Sequence, residues 1–271
     1  MSDTRRAVIS HYRPIKKITP LDIQQMYEIF RKYYANTTLE IFLRDLGKKQ
    51  GLFLIRDRDT RRIVGFSTVT NMPLQYGKRT VRGVFSGDTI IEKEYWGCRA
   101  LNKLFFLYML RTRLRYPMTP LFWLLISKGY KTYLLLANNF PRYYPHPEGR
   151  YDRYAPMVRQ YCDTLFPGTF DPQRQLLDFG DSYQHLEGDV AEITPEMRRK
   201  SAKIDFFERS NPSWRQGTEL PCIGQAGYLD FVLYVWQRLF RRGSAPGPAV
   251  TARPQDHDTE VNGAATQQGT S

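Results

Sequence analysis

The strongest constraint on the fold is an apolar run at residues 121–126, Leu-Phe-Trp-Leu-Leu-Ile. A run of strand length without polar alternation is typical of a strand buried on both faces of a sheet. A long pattern of apolar residues at helical spacing precedes it, from Ala100 to Leu114, and Pro117 and Pro120 end that helix. The sequence therefore predicts an α/β protein.

The remaining patterns over the first 150 residues predict the element order α-α-β-β-β-α-β-α. Two amphipathic helices come first, one capped by Thr19 and one ending near Gly47. Strand-length runs follow at residues 52–56, 63–69 and 80–91, and a polar turn joins the first two as in a β-hairpin. The long helix, the buried strand and a shorter helix complete the order.

Composition divides the chain into four parts. Residues 1–17 are polar and basic and predict an N-terminal arm, and 18–150 form the core. A mainly helical extension, 151–242, is expected to pack on the core, and 243–271 lack periodicity and are expected to be disordered. The last helix, 228–242, is apolar nearly all round. It is expected to pack on the domain, and the alternative is contact with a membrane surface or a partner groove.

The basic charge is concentrated in the first part of the chain. Residues 1–116 hold 23 Lys and Arg against 10 Asp and Glu, whereas the remaining 155 residues hold 17 of each. This basic first part of the chain should attract an anionic partner: nucleic acid, anionic lipid, a phosphorylated cofactor or an acidic carrier protein. A basic surface that only maintains solubility is equally compatible with this pattern.

Cysteine and histidine usage excludes several classes of site. The three cysteines show no CxxC spacing and the four histidines show no metal-ligand spacing, so neither a disulfide framework nor a metal site is expected. Cys98 precedes a helix beside Arg99, where a thiol pKa is lowered, but a catalytic thiol needs a nearby His, so a structural role is favoured. No signal-peptide run and no spanning stretch of ~18 apolar residues is present. The expected location is the cytoplasm, peripheral at a membrane if the last helix binds one.

The segment 87–102 carries the most chemical information. It passes from a strand, broken at Ser86-Gly87-Asp88, through a tight turn into the start of the long helix. The first turn of a helix presents unpaired N–H groups which, with the helix dipole, attract a phosphate. Arg99 can add charge-assisted contacts there.

The element order and this segment resemble the GNAT N-acyltransferases. Residues 90–97, Ile-Ile-Glu-Lys-Glu-Tyr-Trp-Gly, are similar to the approach V-x-P-x-Y-R-G to that family's loop R/Q-x-x-G-x-G/A. The resemblance implies a mixed central sheet flanked by helices, a strand that splays to admit pantetheine, and a loop that cradles the coenzyme A pyrophosphate. The cofactor-binding residues that it implies are Ile90, Ile91, Trp96, Gly97, Cys98, Arg99, Ala100, Leu101 and Asn102.

Three positions depart from the family pattern. Trp96 stands where the family has Arg or Gln, Arg99 replaces the first Gly, and Leu101 replaces Gly or Ala. The side chains of Arg99 and Leu101 would crowd the approach of phosphates to the main chain. The co-substrate is therefore either acyl-CoA held differently or an acidic acyl carrier protein, and no cofactor is bound permanently. In the second case the architecture is similar to the GNAT-fold N-acyl amino acid and acyl-homoserine lactone synthases.

Transfer to an amine needs a base for the amine and an acid for the leaving thiolate. Asp88 and Glu92 are the nearest carboxylates. Asp88 follows the strand break and can point into the cleft, although a turn residue bonding its own backbone is the commoner role, and Glu92 is expected to face solvent. Tyr133 best matches the family's acid on the helix after the next strand, with core packing as the alternative. Its substitutes are Tyr130, Tyr143 and Tyr144.

Three functions remain open at this point. The favoured one is an acyltransferase that moves an acyl group from a pantetheine thioester to an amine. The alternative is an inactive GNAT-like module that binds an acyl chain, an anionic lipid or a carrier protein. A nucleic-acid-binding protein is least favoured, because the aromatic residues fall at helix and strand positions and are not interleaved with Lys and Arg.

Overall fold

The computed structural model describes residues 7–33, 38–180 and 192–231. The strands are β1 (Val8–Pro14), β2 (Gly51–Asp57), β3 (Ile63–Tyr76), β4 (Arg79–Ile91), β5 (Leu121–Ser127), β6 (Tyr143–Tyr144), β7 (Phe170–Asp171), β8 (Leu176–Leu177) and β9 (Leu220–Ala226). The helices are α1 (Pro20–Phe30), α2 (Leu39–Gly47), α3 (Ala100–Arg115), α4 (Tyr130–Asn139), α5 (Ala155–Leu165), α6 (Pro195–Lys200) and α7 (Ala202–Ser210). Short 3₁₀ turns lie at Ile15–Lys17, Lys93–Tyr95, Asp152–Tyr154 and Trp214–Gln216.

One seven-stranded mixed sheet organises these elements, in the order β1-β2-β3-β4-β5-β9-β6. Only β4 and β5 pair in parallel; the other neighbours in this sheet are antiparallel. Helices α1, α2 and α5 pack on one face, the α1 face, and α3, α4 and α7 pack on the other, the α3 face. The predicted α/β fold, a mixed sheet flanked by helices, is confirmed.

Strand β5 shows why its sequence has no polar alternation. Trp123 and Leu125 belong to the core on the α3 face, whereas Phe122 and Leu124 pack beneath α5 on the other. All four side chains are buried. Both faces of β5 are therefore covered, as the apolar run predicts.

The predicted element order holds from α1 to α4. Thr19 caps α1 in a reciprocal capping box with Asp22, and Thr38 caps α2 by accepting from the amide of Ile41 at 3.2 Å. The hairpin of β2 and β3, the strand β4 and the long helix α3 all lie where their patterns place them.

The two ends of the described chain differ from the predicted division. Residues 8–14, expected within a basic arm, form the edge strand β1 because Tyr12 packs against Phe53 and Tyr108. Residues 220–226, expected within a helical extension, form β9 between β5 and β6. The extension thus completes the main sheet.

Two further expectations concern the C-terminal half. The helix expected near residues 194–209 is divided at Ser201 into α6 and α7. The expected disordered tail, 243–271, and residues 232–242 of the expected last helix lie outside the described residues. Among the described residues, no helix has the length and apolar character needed to cross a membrane.

Asp22 joins the start of α1 to strands β1 and β2. The residue is 3% exposed, and its carboxylate accepts from the Thr19 amide at 3.1 Å and from Arg13 at 2.8 Å and also pairs with Arg56. Burial opposes its charge, but the hydrogen bonds from Thr19 and Arg56 outweigh burial and hold the pKa of Asp22 below its ordinary value. This carboxylate therefore stabilises the folded state in its charged form.

We expect Asp22→Asn to lower the free energy of unfolding by about 1–3 kcal/mol near neutral pH, because two Arg side chains lose their partner. A carboxyl group with a depressed folded-state pKa stabilises the fold above its unfolded pKa of about 3.9, and that contribution is lost as pH falls through the folded value. The difference from the unaltered protein, measured by urea unfolding, should therefore shrink toward about pH 3.

Asp163→Asn is the matched control, because Asp163 is exposed on α5 and only faces Arg159 one turn away. We expect this change to stay within about 0.5 kcal/mol. Equal losses for the two variants, or a loss in Asp22→Asn that does not vary with pH, would contradict this account of Asp22.

Candidate functional site

The site is built where β4 parts from β5. The parallel pairing joins residues 82–85 to 121–124 and goes no further, although β4 continues to Ile91 and β5 to Ser127. Beyond Phe85, β4 remains paired with β3 alone, and β5 remains paired with β9. The facing edges of the two strands therefore open a wedge with unpaired main-chain groups.

A bulge in β4 lies at the point of the wedge. The register places Val69 opposite Ser86 but Ser67 opposite Thr89, so Gly87 and Asp88 together face the single residue Thr68. Two residues opposing one bend a strand and increase its twist. The break that the sequence predicts at Ser86-Gly87-Asp88 is therefore a β-bulge.

Contacts around the bulge leave no room for a larger residue at position 87. A Cβ atom there would lie 2.5 Å from the Thr68 hydroxyl oxygen and 2.9 Å from the Phe85 ring. On the other side, Trp123 Nε1 donates to Ser86 Oγ at 2.8 Å. This last bond bridges β5 and β4 just past their final main-chain pair.

A cavity of about 550 Å³ occupies the wedge and reaches both faces of the sheet. This volume lies within the usual range for small-ligand sites. Its apolar part on the α3 face is lined by Leu101, Phe105, Met109, Trp123, Leu125 and Phe140. On the α1 face its lining includes the ionisable side chains Lys49, Asp88, Lys128 and Glu219 together with apolar ones such as Phe42, Phe85 and Phe166. The cavity therefore leads from an apolar compartment to a group of ionisable side chains.

Asp88 is held by two neighbours at the charged end. Its Oδ2 lies 3.5 Å from the Thr68 hydroxyl and 4.0 Å from Lys49 Nζ. Lys49 Nζ in turn lies 5.7 Å from the centre of the Phe85 ring. The predicted base candidate thus lines the cavity, with its charge partly balanced.

Glu219 and Lys128 face each other at the ends of β9 and β5. The pairing of these strands ends at Ser127 and Leu220, so Lys128 and Glu219 are the next residues on each chain. Two hydrogen bonds of 2.9 Å with Leu177 fix the Glu219 main chain. Its carboxylate makes no hydrogen bond or salt bridge within the described residues.

The ionisation of both groups is perturbed. Burial raises the pKa of Glu219 to about 7, the charge of Lys128 opposes that shift and Asp88 adds to it. Burial lowers the pKa of Lys128, with Glu219 acting against the shift. Sequence reasoning missed Glu219 because it belongs to no motif; the only available signal was its position directly before the apolar segment 220–226.

Of the predicted cofactor-binding residues, four line the cavity: Ile91, Cys98, Leu101 and Asn102. The first main-chain bond of α3 runs from the Lys103 amide to the Arg99 carbonyl at 3.0 Å, so the amides of residues 100–102 precede it. The start of α3 therefore lies at the cavity, as the anion-site prediction requires.

The remaining predicted cofactor-binding residues surround that helix start. Trp96 Nε1 donates to the Ile91 carbonyl at 2.7 Å, and Gly97 adopts a φ of +82°, which favours glycine. Arg99 is exposed, Ala100 is half-buried, and Ile90 packs with the core under α1.

The pKa of the Cys98 thiol is shifted in the direction opposite to the one expected from the sequence. Burial raises the pKa of its thiol, although the Ala100 amide acts in the opposite direction. The expected lowering by a helix start is therefore outweighed by burial.

The structure places Glu92 and Tyr133 away from the cavity. Glu92 is 5% exposed, contrary to the expected solvent exposure, because Lys32 at 2.9 Å and Arg62 at 3.0 Å hold its carboxylate. Tyr133 is buried and donates to the Pro145 carbonyl at 3.0 Å. The residues proposed as substitutes for Tyr133 are also absent from the described part of the cavity lining: Tyr130, Tyr143 and Tyr144. Their catalytic roles stay predictions.

No family model and no curated protein matches this sequence. Similar solved structures include a probable N-acyltransferase from Enterococcus faecalis, with 10% identity and a TM-score of 0.37. That alignment covers 48% of this chain and 32% of the Enterococcus protein, so it spans about a third of that protein.

Two other similar structures are acetyltransferases. The GNAT family N-acetyltransferase YhbS from Escherichia coli, in complex with CoA, has 16% identity over 51% of this chain and 71% of its own, with a TM-score of 0.33. A Trypanosoma brucei acetyltransferase has 15% identity over 48% and 91%, with a TM-score of 0.34. At these values the likeness is one of partial fold and carries no conclusion about activity.

We expect Leu101→Trp to fill the apolar part of the cavity and to weaken binding of the dye 1-anilinonaphthalene-8-sulfonate by about tenfold or more, equivalent to about 1.4 kcal/mol. Leu107→Trp on the same helix is the control, since Leu107 is 47% exposed and lies outside the lining. Fluorescence titration measures both affinities. Equal dye binding by the two variants would show that the cavity does not take up apolar ligands.

Proposed function

We propose that this protein transfers an acyl group from a pantetheine thioester, carried by acyl-CoA or by an acyl carrier protein, to an amine. The observation that carries the proposal is the wedge between β4 and β5, which opens into a cavity that is largely apolar on the α3 face and has ionisable side chains on the α1 face. A pantetheine arm is extended and contains two amide groups. The unpaired edges of the wedge offer main-chain partners to such an arm.

The apolar compartment supports an acyl chain as the transferred group. Phe105 and Trp123 pack at 5.2 Å between ring centres, and Trp123 packs on Phe140 at the same distance. These rings line the wall between α3, α4 and the sheet. Burying an acyl chain against them is favourable by about 0.8 kcal/mol for each CH₂ group.

The charged compartment supports an amine as the acceptor. Asp88 and Glu219 supply two carboxylates at the end of the wedge. A carboxylate favours the approach of an ammonium group, and attack on a thioester then requires a base that removes a proton. Asp88 remains a catalytic candidate on the strength of its place in the lining.

Two features bear on the carrier of the thioester. The start of α3, where the amides of residues 101 and 102 precede the first helical hydrogen bond, supports phosphate binding at the cavity, which favours acyl-CoA. The basic charge of residues 1–116 supports an acidic carrier protein. Both donors present the same pantetheine arm to the wedge.

A binding module without catalysis is the second candidate. It is favoured by the placement of Glu92 and Tyr133, because both are held by other partners away from the cavity. Such a module would bind a thioester or acyl chain and release no thiol.

We expect acetyl-CoA, palmitoyl-CoA or an acylated carrier protein to raise the midpoint of thermal unfolding, because a ligand that binds only the folded state stabilises it by about 2.7 kcal/mol at a hundredfold excess over Kd. Leu101→Trp should reduce the rise and Leu107→Trp should retain it. No rise with any of the three donors would contradict the proposed function. A rise without thiol release in the presence of amines would favour the binding module.

A further inference from the structure

Glu219 differs from every other carboxylate at the cavity. Asp88 has Thr68 and Lys49 within 4.0 Å, Asp45 pairs with Lys48 at 3.1 Å, and Asp230 pairs with Arg142 at 3.1 Å. Glu219 lines the same cavity with no such partner within the described residues. Its charge therefore remains available to a ligand.

The side on which Glu219 lies follows from the alternation of β9. Leu220 and Cys222 belong to the core on the α3 face, whereas Ile223 packs beneath α5 on the α1 face. Side chains alternate along a strand, so Glu219 shares the side of Ile223. Along β5 the same alternation places Ser127 on the α3 side with Leu220, so Lys128, the next residue, is directed to the side of Glu219. Both side chains are thus directed to the charged end of the wedge, where Asp88 lies.

The position of Glu219 is fixed more firmly than that of a loop residue. Its amide and carbonyl exchange hydrogen bonds with Leu177 of β8, and the next residue begins β9. Leu177 is itself fully buried beneath α5. A residue whose main chain is held in this way presents its side chain to a bound substrate from a defined position.

We propose that Glu219 accepts the proton of the attacking amine, and that Lys128 is a positioning residue whose positive charge favours the ionised form of Glu219. This inference rests on the proposed function. The amine nitrogen forms the new C–N bond at the thioester carbonyl, and the C–S bond breaks with its electron pair remaining on sulfur. The proton lost by nitrogen passes to the Glu219 carboxylate and then to the thiolate. Glu219 is ionised again at the end, and no further reactant is needed.

The charges around Glu219 suit this role. Burial raises its pKa to about 7, near the value at which a base is both ionised and able to hold a proton at neutral pH. Lys128 lowers that pKa and Asp88 raises it. Lys49, Lys48 and Asp45 lie on the α2 side of the same cavity, and the end of α5 with the loop after it adds only uncharged side chains, from Leu165 to Thr169.

The first test needs no acceptor. Dicyclohexylcarbodiimide reacts with protonated carboxyl groups in apolar surroundings, and mass spectrometry identifies the labelled residue. We expect Glu219 to be labelled near pH 6 and labelling to fall about tenfold by pH 8, as a pKa of about 7 requires. In Lys128→Met the fall should move to higher pH, because a favourable positive charge is lost. The assignment would be overturned if Glu219 is not labelled, or if its labelling falls over the same pH range in Lys128→Met as in the unaltered protein.

The second test measures thiol release from acetyl-CoA and palmitoyl-CoA with phenethylamine, glycine and a tripeptide as acceptors. We expect Glu219→Gln to lower kcat by about 100-fold or more while the donor-induced rise in unfolding midpoint is retained. Glu219→Asp should recover part of the rate, and the acidic limb of the pH–kcat profile should be absent in Glu219→Gln. Glu148→Gln, on the exposed segment after β6, is the control and should match the unaltered protein.

The outcomes separate the two proposals. Unchanged kcat in Glu219→Gln, with donor binding intact, overturns the role of Glu219 and leaves the proposed function standing. If the unaltered protein binds no donor, the proposed function is contradicted and this inference loses its basis as well.

Discussion

The parting of β4 from β5 is the constraint on which the rest of the structure depends. Two parallel strands that stop pairing leave amide and carbonyl groups without partners, and such groups must bind water or a ligand. Both strands are nevertheless held on their outer sides, β4 by β3 and β5 by β9. The wedge is therefore a fixed opening in the sheet, and it gives a cavity access to both faces.

The chain after residue 150 completes this opening. Strand β9 comes from that region and holds β5 in place, and α5 covers Phe122 and Leu124 on the α1 face. The same region supplies Glu219 at the charged end of the cavity. The core and the site thus both require a segment that its composition marks as an extension.

Periodic patterns in the sequence predicted the features of the fold that depend on residues close together in the chain. The buried strand β5, the helices α1 to α4 and the bulge at Gly87 follow from apolar spacing, capping residues and a local break. The partners of Glu92 could not be predicted, because Arg62 and Lys32 lie 30 and 60 residues away in sequence. Strand β9 was missed because Pro221, Gly224 and Gln225 interrupt its apolar pattern. Its role, like that of Glu219, depends on pairing with β5, about 100 residues earlier.

Hydrogen exchange of the main-chain amides, with and without palmitoyl-CoA, tests most directly whether a thioester occupies the wedge. We expect slower exchange in residues 86–91 of β4 and in residues 98–102 at the start of α3, with the edge strand β1 unchanged. Binding of palmitoyl-CoA that leaves exchange in both segments unaltered, and slows it elsewhere, would contradict the central claim.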